Sequence, residues 1–203
     1  MINHQDYKFL TTDLDPALLS TPFEIQTRWH VITGAPCSGK TTLIDLVARK
    51  GFQTIPEVGR EYVEREIARG RKLDEIRASE IIFSNVIKEL TLAIERGSRP
   101  EDVIFLDRAV PDCLAYHRMH GVDPNIILRD CFHHRYASVF ILNRFPTQKD
   151  CARIEDDAAA EFLDEWLARD YSSLGYDAVR VPVLPPEERL AFVLERLAEQ
   201  GLI

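Results

Sequence analysis

The chain has 203 residues, and its 25 Lys+Arg against 33 Asp+Glu leave a formal net charge of −8. At 45% hydrophobic and 29% charged residues it has the composition of one globular domain rather than of a disordered chain. The acidic balance argues against duplex nucleic acid or an anionic membrane as a primary partner, though a local basic site for a small anion stays open. Nothing in it approaches the roughly 20 apolar residues of a membrane span. The start, MINHQDYKFL, has neither the basic end nor the apolar core of a signal peptide, so a cytoplasmic protein is expected. The four Cys at 37, 113, 131 and 151 show no C-x-x-C spacing and read as reduced thiols.

Residues 1–28 are polar, carry Pro16 and Pro22, and read as an N-terminal extension ahead of a domain over 29–203. From Trp29 onward, short apolar runs alternate with amphipathic stretches, the pattern of βαβ units. Strands are expected at 29–33, 52–55, 103–106, 138–142 and 178–181. Helices are expected over 41–49, 75–96 and 158–174, with a last one after Pro185-Pro186. The fold class is α/β, with about five mostly parallel strands.

Residues 34–41, GAPCSGKT, form G-x-x-x-x-G-K-T between an apolar strand and an amphipathic helix, which is a P-loop in its required setting. Gly34, Ala35, Pro36, Cys37, Ser38 and Gly39 would wrap phosphate oxygens with backbone N–H groups at a helix N-terminus. Lys40 would reach the β- and γ-phosphates, Thr41 would offer its hydroxyl to Mg²⁺, and Thr42 would complete the nucleotide-binding stretch. The strand VIFLD ends in Asp107, placed to hold the same Mg²⁺ through water, and Arg108 follows it. ATP with Mg²⁺ is the expected cofactor pair.

Further features suggest phosphoryl transfer to a small acceptor. The second strand leads into PEVGREYVERE, which places Glu57 at a C-terminal strand end, where it could take a proton from a substrate hydroxyl. A bland alternative is a helix N-terminal acid favoured by the dipole. Arg60, one turn on, and Arg108 are candidate acceptor contacts. After the fourth strand, NRFPTQKDCARIED carries Arg144, Lys149 and Arg153, cations that could close over the transferring phosphate. His117 and His120 share an i, i+3 spacing without an evident third metal ligand, and His133–Tyr136 reads as a polar loop.

These motifs, with EVGREYV at 57–63, LDR at 106–108, KDCAR at 149–153 and LGYDAVRVP at 174–182, resemble the NadR-like AAA-type ATPase family. The resemblance covers roughly residues 29–200. It implies a three-layer P-loop core of nucleoside-kinase type with strand order 2-3-1-4-5, related to thymidylate and deoxynucleoside kinases. Glu57 and Asp107 would then flank the reaction centre. A nucleotide and a small-molecule phosphate acceptor are the implied partners, and a homodimer is one assembly open to it. Two other classes stay in view: a nucleotide-hydrolysing switch that transfers phosphate only to water, and a nucleotide-binding scaffold. Asn143-Arg144-Phe145-Pro146 lacks the Lys and Asp by which GTPases read guanine, which weighs against the switch.

Overall fold

A computed structural model of the protein describes residues 7–145 and 157–203. Strand β1 (Trp29–Thr33) is buried along its whole length, as a central parallel strand covered on both faces must be. The chain continues through α1 (Lys40–Arg49), β2 (Gln53–Ile55), α2 (Val58–Ala68), α3 (Glu80–Gly97), β3 (Ile104–Asp107) and α4 (Asp112–Met119). It ends with β4 (Ser138–Leu142), α5 (Asp157–Ser173), β5 (Val179–Val181) and α6 (Pro186–Glu199).

The five strands pair in the order β2-β3-β1-β4-β5, all in parallel, which is the order expected. Register sets Ile32 opposite both Asp107 on β3 and Phe140 on β4. Alternate residues of each strand face opposite helical layers. Val31, Leu106 and Ile141 join Leu92 of α3, Leu114 of α4 and Tyr171 of α5. Ile32, Phe105 and Phe140 join Leu43 and Val47 of α1 with Leu190 and Val193 of α6. The result is three layers. The crossover from β1 runs to one side of the sheet and that from β3 to the other, so a crevice opens at the C-terminal end of β1, where such sheets bind ligands.

Three expectations need adjustment. The single helix over 75–96 is divided: a short turn covers Leu73–Ile76, and α3 starts afresh after Ser79, whose hydroxyl accepts from the Ile82 N–H. Residues 133–136 are more than a polar loop. His134 and Tyr136 are buried, and both reach the buried carboxylate of Glu95, which also accepts the Val110 N–H. Cys113 and Cys131 are free and buried as expected, but Cys37 is disulfide-bonded, which the wide cysteine spacing did not announce. Among the described residues no helix is long and apolar enough to cross a membrane.

From Tyr7 the N-terminal extension packs on the domain. The Lys8 and Leu10 N–H groups donate to the Met119 and Arg118 carbonyls at the end of α4. The fully buried Arg118 guanidinium donates to Thr12 O and, through two nitrogens, to Asp170. Further on, Ile25–Gln26 pairs in parallel with His134–Arg135.

His30 lies on β1 with no exposed surface, its Nδ1 2.8 Å from the Ser138 hydroxyl and its ring against Phe105. Burial, and secondarily Arg28, lowers its pKa to about 4. The neutral ring therefore favours folding above the unfolded value of roughly 6.5, and that stability is lost as pH falls toward 4. Denaturant titrations should show about 2 kcal/mol lost through this group between pH 7 and 4.5. The His30→Phe variant should lose less by that amount, and an identical loss in both proteins would reject the assignment.

Candidate functional site

The loop between β1 and α1 is shaped by backbone that side chains resist. Gly34 has φ 143°, and a Cβ there would stand 2.8 Å from the carbonyl oxygen of Leu142. Gly39 caps α1 in the left-handed region at φ 90°. The loop folds back on its own lysine. Lys40 is buried and donates from Nζ to the Gly34 and Ala35 carbonyls at 3.0 and 2.9 Å, with the Ser38 hydroxyl at 3.4 Å. Burial, then the neighbouring Arg108, lowers its pKa to about 8 against the opposing pull of Asp107, Glu57 and Asp112. An ammonium with only neutral acceptors in hydrogen-bond reach is poised for an anion.

Asp107 ends β3 beside this loop, with the Thr41 hydroxyl 3.4 Å from its Oδ2. Its Oδ1 is buried without a hydrogen-bond partner. Burial lifts its pKa to about 6, with Lys40 and Arg108 opposing. One orphaned hard oxygen next to a hydroxyl fits a Mg²⁺ ion whose remaining ligands come from water and phosphate. Among the described residues there is no group of three or more His, Cys, Asp or Glu that could hold a metal ion.

Glu57 occupies the N-cap position of α2, yet its side chain makes no cap hydrogen bond. It accepts instead from Arg108 Nε at 3.2 Å, so the dipole explanation alone does not account for it. Burial would raise its pKa, but Arg108, Lys40 and Arg60 outweigh that, and the carboxyl sits below its ordinary value. Arg60 lies 4.0 Å from Glu57 and is half exposed. Arg108 itself takes a left-handed backbone, φ 72°. Such strain in a non-glycine persists only where the surroundings over-determine it. Here its N–H donates to Ile32 O, its guanidinium lies 3.7 Å from Asp112, and Tyr116 stacks at 5.1 Å.

A cavity of about 680 Å³ joins these groups, lined by Lys40, Thr41, Thr42, Glu57, Arg60, Asp107 and Arg108. Pro36, Cys37 and Gly39 also line it, while Ala35 and Ser38 are buried beneath. Arg144 stands apart: it pairs with Asp157 at 3.4 Å and is not among the cavity's lining residues. Lys149 and Arg153 fall outside the described residues.

Sequence reasoning missed two supports. Asp112 is buried and accepts from Thr33 Oγ1, the Ala109 N–H and the Tyr171 hydroxyl, tying the strand before the P-loop to the turn that carries Arg108. Arg189, buried at the start of α6, donates to the carbonyls of Ser38, Asn143 and Pro182 and lies over the Phe145 ring. A buried Arg in an otherwise apolar helical stripe was the available signal for the second. For Asp112 the sequence showed only a local acid near Arg108, because the hydroxyls it gathers, Tyr171 and Thr33, are 59 and 79 residues away. Gly34→Ala should cost about 1–3 kcal/mol of unfolding free energy, measured by chemical denaturation. A loss under about 0.5 kcal/mol would mean that the loop tolerates a Cβ and has another geometry.

The fold recurs among proteins of known structure. Solved structures with the same fold include deoxyadenosine kinase from M. mycoides, captured with the products dCMP and dCDP, at 14% identity and TM-score 0.60, covering 84% of this chain and 98% of that one. NadR protein in complex with NR matches at 18% identity and TM-score 0.63, covering 85% of this chain, which spans about half (51%) of that protein. Shikimate kinase from Aquifex aeolicus matches at 19% identity and TM-score 0.54, covering 86% and 98% of the two chains. No curated protein matches the sequence. The family model described as AAA domain matches residues 29–189. That match runs from β1 through the P-loop to Arg189, well over half of the sequence, and the chain belongs to this AAA domain family.

Proposed function

We propose that the protein transfers the γ-phosphoryl group of ATP to a hydroxyl of a small, nucleoside- or nucleotide-like acceptor. The observation that carries this reading is the single cavity in which Lys40, Asp107, Glu57 and Arg108 converge. The fold neighbours add support, since they include a deoxyadenosine kinase with dCMP and dCDP bound, a shikimate kinase, and NadR protein in complex with NR. The donor phosphates would lie in the P-loop against Lys40. Thr41 and Asp107 would hold Mg²⁺, which when bound neutralises the donor's phosphate charge.

Glu57 would accept the acceptor's hydroxyl proton as the oxygen–phosphorus bond forms, while the bond from the γ-phosphorus to the bridging oxygen breaks and ADP leaves. A carboxylate held below its ordinary pKa is a weak base. That suffices in a loose transition state, because the hydroxyl becomes acidic only as the new bond forms. Arg108 would orient Glu57 and meet the transferring group, and Arg60 would contact the acceptor at the rim. Arg144 and Arg153 are the candidates for late charge stabilisation. A cytoplasmic location belongs to this reading, with a homodimer as one assembly open to it.

Phosphorus NMR of ATP with Mg²⁺ and a panel of nucleosides, nucleotides and nicotinamide riboside tests it. A new phosphomonoester signal is expected with at least one acceptor, while inorganic phosphate alone would indicate a hydrolytic switch. Lys40→Ala should slow transfer by 10²-fold or more, about 3 kcal/mol of transition-state stabilisation. Glu57→Gln should reduce transfer by 10²–10⁴-fold and spare ATP binding. Near-normal rates in either variant would remove that residue from the mechanism.

A further inference from the structure

The cavity does not end at Glu57. It extends beneath α2 and α3 to Arg77, Glu80, Phe83, Tyr116 and His120. Arg77 and Glu80 form a close ion pair: Nη2 donates to Oε2 at 2.9 Å, while Nε stands 2.9 Å from Oε1 but is left without a hydrogen-bond partner. Their side chains are only 14% and 13% exposed, so the pair is fixed rather than solvated. The Arg77 guanidinium stacks on Phe83 at 5.1 Å, and His120 Nε2 stands 3.8 Å from Glu80 Oε2.

His120 is fixed in turn from outside the domain's core. Tyr7 packs against its ring with centroids 6.2 Å apart, and stacks on Phe9, which stacks on Phe162. The Lys8 and Leu10 N–H groups bond the last carbonyls of α4. The next residue, Gly121, has φ 71°, and a Cβ there would lie 2.6 Å from Lys8 Cβ. The strap over 7–12 thus touches the end of the cavity, although it precedes the segment at 29–189 that matches the AAA domain family.

We propose that Arg77, Glu80 and His120 form the specificity-determining end wall of the acceptor pocket, held in place by the N-terminal strap. The wall takes a flat head group that hydrogen-bonds along its edge and carries no phosphate. Three features of the pocket define that class. Phe83 and Tyr116 offer flat apolar faces to a planar group. The Arg77–Glu80 pair presents donor and acceptor atoms whose charges cancel, the buried Arg77 Nε among them. Beyond the P-loop, Arg60, Arg77 and Arg108 face Glu57, Glu64, Glu80 and Asp112, so carboxylates outnumber guanidiniums and repel a second phosphate. This deepens the kinase reading and rests on its acceptor pocket.

The test is ligand-observed NMR binding of adenosine, cytidine, inosine and nicotinamide riboside, each beside its 5′-monophosphate, to the full chain and its variants. At least one unphosphorylated member should bind, and more tightly than its monophosphate. Glu80→Gln and His120→Ala should weaken it tenfold or more, and Tyr7→Ala about threefold, as expected when one buried hydrogen bond or its support is lost. Affinity for a non-hydrolysable ATP analogue should stay within twofold, which also certifies the fold of each variant. If His120→Ala does not fold, Glu80→Gln decides alone. Binding by no panel member, tighter binding of monophosphates, or unchanged affinity in Glu80→Gln overturns the wall. Binding that follows the expected pattern without any phosphoryl transfer upholds the wall while ending the kinase reading.

Discussion

One largely enclosed cation, Arg108 with its side chain 15% exposed, organises the candidate site of this molecule. The guanidinium of Arg108 sits among the C-terminal ends of three strands, and a charge so placed is tolerable only when it is paired. Glu57 at the end of β2 and Asp112 at the start of α4 supply the pairing, and Tyr116 covers the remaining face. Asp112 passes the constraint on to Thr33, directly before the P-loop, and to Tyr171 on α5. The left-handed backbone at Arg108 is stabilised by the same contacts, together with its N–H bond to Ile32. Remove the guanidinium and three carboxylates, counting Asp107, would crowd one crevice with Lys40 as the nearby counter-charge.

This arrangement explains how groups of opposite tendency share a small volume. Burial alone would discharge Lys40 and protonate Asp107, and their shifted pKa values of about 8 and 6 show that tendency. Glu57 is held the other way because it faces cations on several sides. A phosphate with its metal would compensate both the ammonium and the Asp107 carboxylate, so the site stores an electrostatic preference for that ligand. The parallel sheet makes this possible: β1, β3 and β2 deliver the P-loop, Asp107 and Glu57 to one edge without further devices.

What the sequence conveyed was the part written in local pattern. Trp29–Thr33 and Ser138–Leu142 are continuous apolar runs of strand length, and both strands end where expected. The P-loop spacing located Lys40 and Thr41, and the apolar strand before it located Asp107. The break at Ser79 was hidden because Ile76 and Phe83 keep a helical spacing across it. The roles of Glu95, Asp112 and His120 were hidden for another reason. Each depends on partners far away in sequence, and a single buried polar residue looks like a surface one until its partners are located. The lid cations show the opposite limit. A charge run suggested a closing segment; Arg144 pairs with Asp157 at its near end, and Arg153 lies outside the described residues.

The central claim is that Glu57 and Arg108 work as one unit at the strand ends. A double-mutant cycle on the phosphoryl-transfer rate, with Glu57→Gln, Arg108→Gln and both together, measures that coupling most directly. The account predicts strong non-additivity, with the double variant about as slow as the slower single one, as for groups that act jointly. Additive losses, each single effect multiplying the other, would contradict it.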